Sequence, residues 1–183
     1  MTKTEIRICG LGGQGVILAG QILGKAAIYD GKNAVQTQGY GAEARGSAAK
    51  SEVIMSEDKI GFPFVRKCDV LIIMNQEAVE KNTVDLKQNG VLLVDSSTVK
   101  EIPKIKAKVI KVPATENAEK LFGAKIYANM IMLGALIEAT CMVSEKAVEK
   151  AIEDSVGKEN AKINKQAYKK GKELLKCSFT NQE

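Results

Sequence analysis

The hydrophobic pattern alternates between short, almost wholly apolar runs and longer stretches with helical spacing. Val70-Leu71-Ile72-Ile73-Met74 and Val91-Leu92-Leu93-Val94 are apolar at every position, as expected of strands covered on both faces in a parallel sheet. Ile6-Arg7-Ile8-Cys9, Asn33 to Thr37, the stretch Ala48 to Ser56, where Val53 and Met55 alternate with their neighbours, and Ala107 to Val112 add further strands. Val16 to about Tyr29 and Glu77 to Leu86 read as helices, and Thr115-Glu116-Asn117 opens a short one that stops at Gly123. The last third is helical: Lys125 to Met142, Ser144 to Val156 with Ser144 as N-cap, and Ala161 to Cys177. Nothing resembling a linker or repeat interrupts this order. The pattern predicts an α/β fold, a single doubly wound, Rossmann-like, mainly parallel sheet with a helical C-terminal third, in one domain over residues 1–183.

Candidate chemistry starts at the first strand-to-helix junction. Gly10-Leu11-Gly12-Gly13-Gln14-Gly15 fits Gly-x-Gly-x-x-Gly between a strand and a helix. In that arrangement the first glycine makes the turn, the second admits a ligand to the backbone and the third packs the helix on the strand. Free N–H groups at the helix start favour an anion such as phosphate. The plainer alternative is that these glycines only let the helix sit close to the sheet. A dinucleotide fold places an acidic residue about 20 residues further on. Here Asn33 to Thr37 ends without one, which argues against a site for NAD. Instead comes a small-residue segment, Thr37-Gln38-Gly39-Tyr40-Gly41-Ala42-Glu43-Ala44-Arg45-Gly46. Ligands in such folds collect at the carboxyl ends of the strands, where Gly12 to Gly15, Thr37 to Gly46, Asn75-Gln76, Asp95-Ser96 and Ala114-Thr115 should converge. Asn75, Asp95 and Ser96 read more readily as turn and cap residues than as ligand contacts.

Composition narrows the chemistry. The chain has no histidine, so the commonest general base and metal ligand is missing. Its four cysteines, Cys9, Cys68, Cys141 and Cys177, form no C-x-x-C pair. They encode neither a zinc nor an iron–sulfur site and are expected as small buried hydrophobes. No residue stands out as catalytic and none as a metal ligand. Charged Lys3, Glu5 and Arg7 interrupt any signal-like start, and the longest apolar candidate, Ile126 to Val143, is broken by Asn129 and Glu138. It reads as a buried helix, and the protein as soluble and cytoplasmic with no membrane contact. The net charge of +5 is concentrated in late lysines interleaved with Glu159 and Glu173, a solvated helix face rather than a nucleic-acid surface.

Three segments in order carry a family resemblance: Gly10-x-Gly12-Gly13-Gln14-Gly15-Val16, Gln36-Thr37-Gln38-x-Tyr40-Gly41-x-Glu43-Ala44-Arg45-Gly46, and Asn129-Met130-x-x-Leu133-Gly134. Together they resemble the gamma subunit of the 2-oxoacid:ferredoxin oxidoreductases over nearly the whole chain. Ser47, where the family often has glycine, and Ala42, where proline is common, depart from the pattern. The resemblance implies a non-autonomous subunit, inactive alone, of an enzyme that decarboxylates a 2-oxoacid, passes the acyl group to coenzyme A and sends electrons to ferredoxin. The 2-oxoglutarate branch is favoured over the pyruvate branch. Alpha and beta subunits, an optional delta subunit and, indirectly, ferredoxin are the implied partners, with a homodimer open to the isolated chain. The resemblance leaves no cofactor bound by this chain alone: thiamine diphosphate and iron–sulfur clusters belong to partner subunits, and a direct coenzyme A contact is left open. The implied binding residues are Gly10, Gly12, Gly13, Gln14, Gly15, Thr37, Gln38, Tyr40, Gly41, Glu43, Arg45 and Gly46. Arg45 would supply a bidentate cation for phosphate and Tyr40 a ring for adenine or a partner surface. An interface role for Glu43 and Arg45 is the even alternative. The competing readings are a free-standing Rossmann-type nucleotide-binding module and a small NADP-dependent reductase, for which Arg45 and Lys50 would meet the 2'-phosphate.

Overall fold

The computed structural model describes residues 3–41 and 47–180, with side chains to residue 176. Its elements run β1 (Lys3–Leu11), α1 (Val16–Tyr29), β2 (Asn33–Tyr40), β3 (Ala48–Ser56), β4 (Cys68–Ile73), α2 (Glu77–Thr83), β5 (Leu86–Asp95) and β6 (Lys108–Val112). Then come α3 (Ala114–Phe122), a 3₁₀ turn (Lys125–Tyr127), α4 (Ala128–Thr140), α5 (Glu145–Val156) and α6 (Lys158–Thr180). The strands form one sheet in the order β2-β3-β1-β4-β5-β6. β1, β4, β5 and β6 pair in parallel, while β3 runs antiparallel to both β1 and β2. The sheet is therefore mixed, with β3 alone reversed, as a short β2–β3 connection requires.

Alternation along the strands divides the core. Ile6, Ile8, Val53, Met55, Ile72, Met74 and Leu93 face α1 and the C-terminal helices. Cys9, Ile54, Leu71, Ile73, Leu92 and Val94 face the other way, where α2 and the loops around Val65 and Val99 cover them. The helices are thus unevenly shared between the two faces. The apolar runs of β4 and β5 are buried on both sides, as their composition predicts, except at half-buried Val91. α4 and α6 cross so closely that a Cβ on Gly134 would meet the backbone carbonyl of Tyr168, and one on Gly171 that of Ile131. Along α5 and α6 the lysines pair with acids, exposed Lys169 with Glu149 at 2.9 Å and half-buried Lys172 and Lys165 with Glu145 at 2.6 Å and Glu153.

Several expected boundaries move. β2 extends to Tyr40 because pairing with β3 continues to Tyr40↔Ala49. The helix expected over Glu77 to Leu86 stops at Thr83, since Leu86 already pairs with Cys68 as the start of β5. The helix expected from Lys125 to Met142 opens as the 3₁₀ turn and ends at Thr140, where Cys141 adopts φ 50°. α6 begins at Lys158, directly after Gly157 in a positive-φ break. Ser144 caps α5 as predicted, its hydroxyl accepting from the Ala147 N–H at 3.2 Å. Cys141 is exposed, contrary to the expectation of four buried thiols; Cys9 and Cys68 are buried, and the Cys177 side chain lies outside the described residues. No helix among the described residues is long and apolar enough to cross a membrane.

Candidate functional site

The carboxyl ends of β1, β2 and β4 and the start of β3 meet at one end of the sheet. The two glycine segments are joined there: the Gly12 N–H donates to the Ser47 carbonyl at 2.8 Å, and the Gly41 N–H to the Ala48 carbonyl at 2.7 Å. Gln14 pins the first turn to the sheet. Its carboxamide oxygen accepts from the Leu11 N–H at 2.6 Å and its nitrogen donates to the Met74 carbonyl at 2.9 Å. Both ends of Gln14 are thereby used inside the fold.

The glycines divide the work differently from the order expected of the motif. Gly10 is close-packed, since a Cβ there would meet the Gln14 carboxamide oxygen and Val16. Gly12 has a negative φ, and its nearest neighbour would lie 3.6 Å away, at Ser47. Gly13 and Gly15 have φ of 92° and 72°, the left-handed region that favours glycine. Gly15, the residue before α1, is also abutted by Asn129, whose amide donates to the Gly15 carbonyl at 3.1 Å, and by Ile126. The third resembling segment therefore packs on the first.

Beside this turn, on the α2 face of the sheet, lies a cavity of about 420 Å³. Gly10, Leu11, Tyr40 and Gly41 form one side, buried Cys9 the floor, half-exposed Lys50 part of the rim, and Asn75, Ala78, Lys81 and Asn82 the α2 side. Gly10, Tyr40 and Gly41 of the sequence-predicted residues thus line it. Gly12, Gly13, Gln14 and Gly15 stand on the adjoining turn, and Thr37 and Gln38 lie further down β2. Thr37 donates to Glu52 at 3.5 Å. Glu43, Arg45 and Gly46 lie outside the described residues.

Asn75 is the polar anomaly of the cavity. It is 7% exposed, and its carboxamide oxygen is buried without a hydrogen-bond donor among the described residues. That oxygen is closed off from the cavity as well as from solvent, and such an orphan costs about 1–3 kcal/mol within the fold. Its neighbours in sequence are fully employed: Gln76 accepts from the Lys100 and Glu101 N–H groups. Asp95 accepts from the Ala114, Thr115 and Ser97 N–H groups and from the Thr115 hydroxyl. Asp95 is thus the N-terminal cap of α3 and not a ligand contact.

Cations complete the cavity. Lys50 reaches Glu52 at 3.4 Å, and Glu52 also accepts from Arg7 Nε at 2.7 Å. Arg7 pairs in turn with Asp85 at 2.6 Å and donates to the Val65 carbonyl at 3.1 Å. Burial alone would lower the Arg7 pKa; the bonds to Asp85 and Glu52 outweigh it and raise it. Burial pushes the Cys9 thiol up to about 12, so the cavity floor is a neutral thiol and not a thiolate. Lys50, beside Glu52, and Lys81, one helical turn from Glu77, bring two cations to the rim, where each could meet an anion. Among the described residues no group of three His, Cys, Asp or Glu side chains could hold a metal.

Sequence reasoning missed Lys81, Asn82 and the Arg7–Glu52 pair. Lys81 and Asn82 follow Glu77 and Ala78 by one helical turn, a spacing that would have placed them on one face. Cys9↔Lys50 and Arg7↔Glu52 are register partners, which only the β1–β3 pairing reveals.

Residues 5–174 match the family described as pyruvate ferredoxin/flavodoxin oxidoreductase. The chain belongs to this family. A 2-oxoglutarate synthase subunit, KorC, from Methanocaldococcus jannaschii is 48% identical over 177 residues, 95% of each chain. Among solved structures, a keto/oxoacid ferredoxin oxidoreductase gamma subunit from Geobacter sulfurreducens superposes with a TM-score of 0.85 at 43% identity, covering 95% of this chain and 99% of the other. A 2-oxoglutarate:ferredoxin oxidoreductase from Magnetococcus marinus, solved with 2-oxoglutarate, coenzyme A and succinyl-CoA bound, superposes with a TM-score of 0.88 at 27% identity. That match covers 97% of this family member but 32% of the larger chain.

Proposed function

We propose that this chain is the gamma subunit of a cytoplasmic 2-oxoglutarate:ferredoxin oxidoreductase and contributes to its coenzyme A site. The observation that carries the subunit role is 48% identity to a KorC subunit over 95% of both chains. Both that relative and the Magnetococcus marinus enzyme are named for 2-oxoglutarate, which favours this oxoacid. Alpha and beta subunits would supply thiamine diphosphate and iron–sulfur clusters, and ferredoxin would take the electrons. Here the chain itself performs no bond-breaking step. It binds and orients.

The cavity beside the glycine turn suits part of coenzyme A. Lys50 and Lys81 meet phosphate oxygens, and Tyr40, 63% exposed, offers a ring face. Arg45 is a further phosphate ligand in this reading, assigned from its place in the sequence pattern alone.

Reconstitution tests the subunit role. The isolated chain should reduce no acceptor with any 2-oxoacid. Added to the other subunits, it should restore ferredoxin reduction that requires both 2-oxoglutarate and coenzyme A. Oxoacid-dependent dye reduction by the chain alone would refute the proposal, as would full activity of the other subunits without it.

A further inference from the structure

The end of the sheet opposite the cavity carries a second surface. The loop from Ser56 to Cys68 joins β3 to β4 at the amino ends of the parallel strands, and it displays Phe62 and Phe64, 49% and 57% exposed. Aromatic residues make up 4% of the chain, so two exposed phenyl rings two positions apart are a concentrated apolar feature. The rings lie 5.4 Å apart, and the Arg66 guanidinium stands 5.2 Å over the Phe62 ring. Buried Val65, between Phe64 and Arg66, anchors the loop, its carbonyl accepting from Arg7. The ring–ring and ring–guanidinium contacts restrict the side chains before any partner arrives, which lowers the ordering cost of binding.

A shallow groove of about 410 Å³ runs beside these rings, lined by Lys3, Arg66, Lys67 and Lys87 against Glu5. Lys3 and Lys87 are already engaged by Glu5 and Asp69 at 2.8 to 3.3 Å. Arg66 and Lys67 form no ion pair among the described residues. The groove thus holds two cations without a carboxylate beside two phenyl rings. Arginine and aromatic residues, phenylalanine included, are enriched at protein interfaces.

We infer that this groove docks a segment of a partner subunit of the same oxidoreductase, one bearing two carboxylates next to an apolar side chain. The inference rests on the subunit role proposed above. Charge chooses the occupant: two carboxylates neutralise Arg66 and Lys67, while the apolar side chain covers Phe62 and Phe64. A nucleic-acid backbone fits worse, because two unpaired cations make a short track and exposed Glu57 and Asp58 stand on the same loop. The position suits a docking role as well, since a partner here leaves the cavity at the other end of the sheet free for a small ligand.

The test uses the complex reconstituted from its own subunits, with F62S/F64S and R66E/K67E double variants of this chain. Both variants should keep the thermal midpoint of the isolated native chain, because the altered side chains are exposed. Each should weaken association with the other subunits by about tenfold or more. Native association should weaken with added salt, and R66E/K67E should lose most of that dependence. Unchanged dissociation constants for both variants would overturn the inference. So would loss of a homodimer of the isolated chain with the complex unaffected, which would assign the groove to a second copy. Failure of the native chain to join the other subunits would instead remove the subunit role, and this docking with it.

Discussion

Gly15 meets two constraints at once: a left-handed backbone with φ 72° and the amide of Asn129 against its α-carbon. Gly15→Ala should therefore cost more than about 1 kcal/mol in denaturant unfolding of the isolated chain. Gly12→Ala, at negative φ with 3.6 Å to its nearest neighbour, should stay within about 0.5 kcal/mol. A Gly12 variant as unstable as the Gly15 variant would contradict this geometry. Thiol chemistry is equally local. Cys9 and Cys68 are buried, their thiols pushed up to about 12 and about 11 by burial, whereas Cys141 is exposed. In a Cys177→Ser background, a native sample at pH 8 should take up one alkyl group, at Cys141, by mass spectrometry. Rapid labelling of Cys9 would show that burial does not protect it. The sequence could locate the glycines and cysteines but not rank them, because which glycine is crowded depends on Asn129, more than a hundred residues away.

At the scale of elements, Asp95 connects the end of β5 to the start of α3. It is fully buried and accepts from three backbone N–H groups and one hydroxyl. Asp95→Ala should cost at least about 2 kcal/mol of stability, since it strands several buried donors at once. Ser97→Ala, which removes one exposed contact to the Glu116 N–H, should cost less than about 1 kcal/mol. Urea unfolding of the two variants separates them, and equal losses would show that the cap is not the basis of the effect. Strand and helix identities were legible because apolar runs and caps are local signals: β4, β5 and the Ser144 cap follow from them directly. Element ends were less so. β2 runs on to Tyr40 and α2 stops at Thr83 because of pairing with β3 and β4, which no local signal announces. The reversal of β3 was likewise invisible in its composition.

For the whole molecule, the two ends of the sheet carry different chemistry. The carboxyl end gathers both glycine segments around a cavity with an orphaned amide and two lysines, while the amino end carries the aromatic groove. The sequence indicated the first end through its glycines and the family through their order. It did not indicate that the cavity opens on the α2 face, with Asn75, Lys50 and Lys81 in its wall, because the β1–β3 register brings Lys50 there and the packing of α2 beyond β4 brings Asn75 and Lys81. The proposed function assigns coenzyme A recognition to that wall. In the reconstituted complex, Lys50→Ala and Lys81→Ala should each raise KM for coenzyme A by up to about tenfold, as expected for loss of a charge-assisted contact of about 1.5 kcal/mol. KM for 2-oxoglutarate should not change. An unchanged coenzyme A KM in both variants, with the complex intact, would contradict the account.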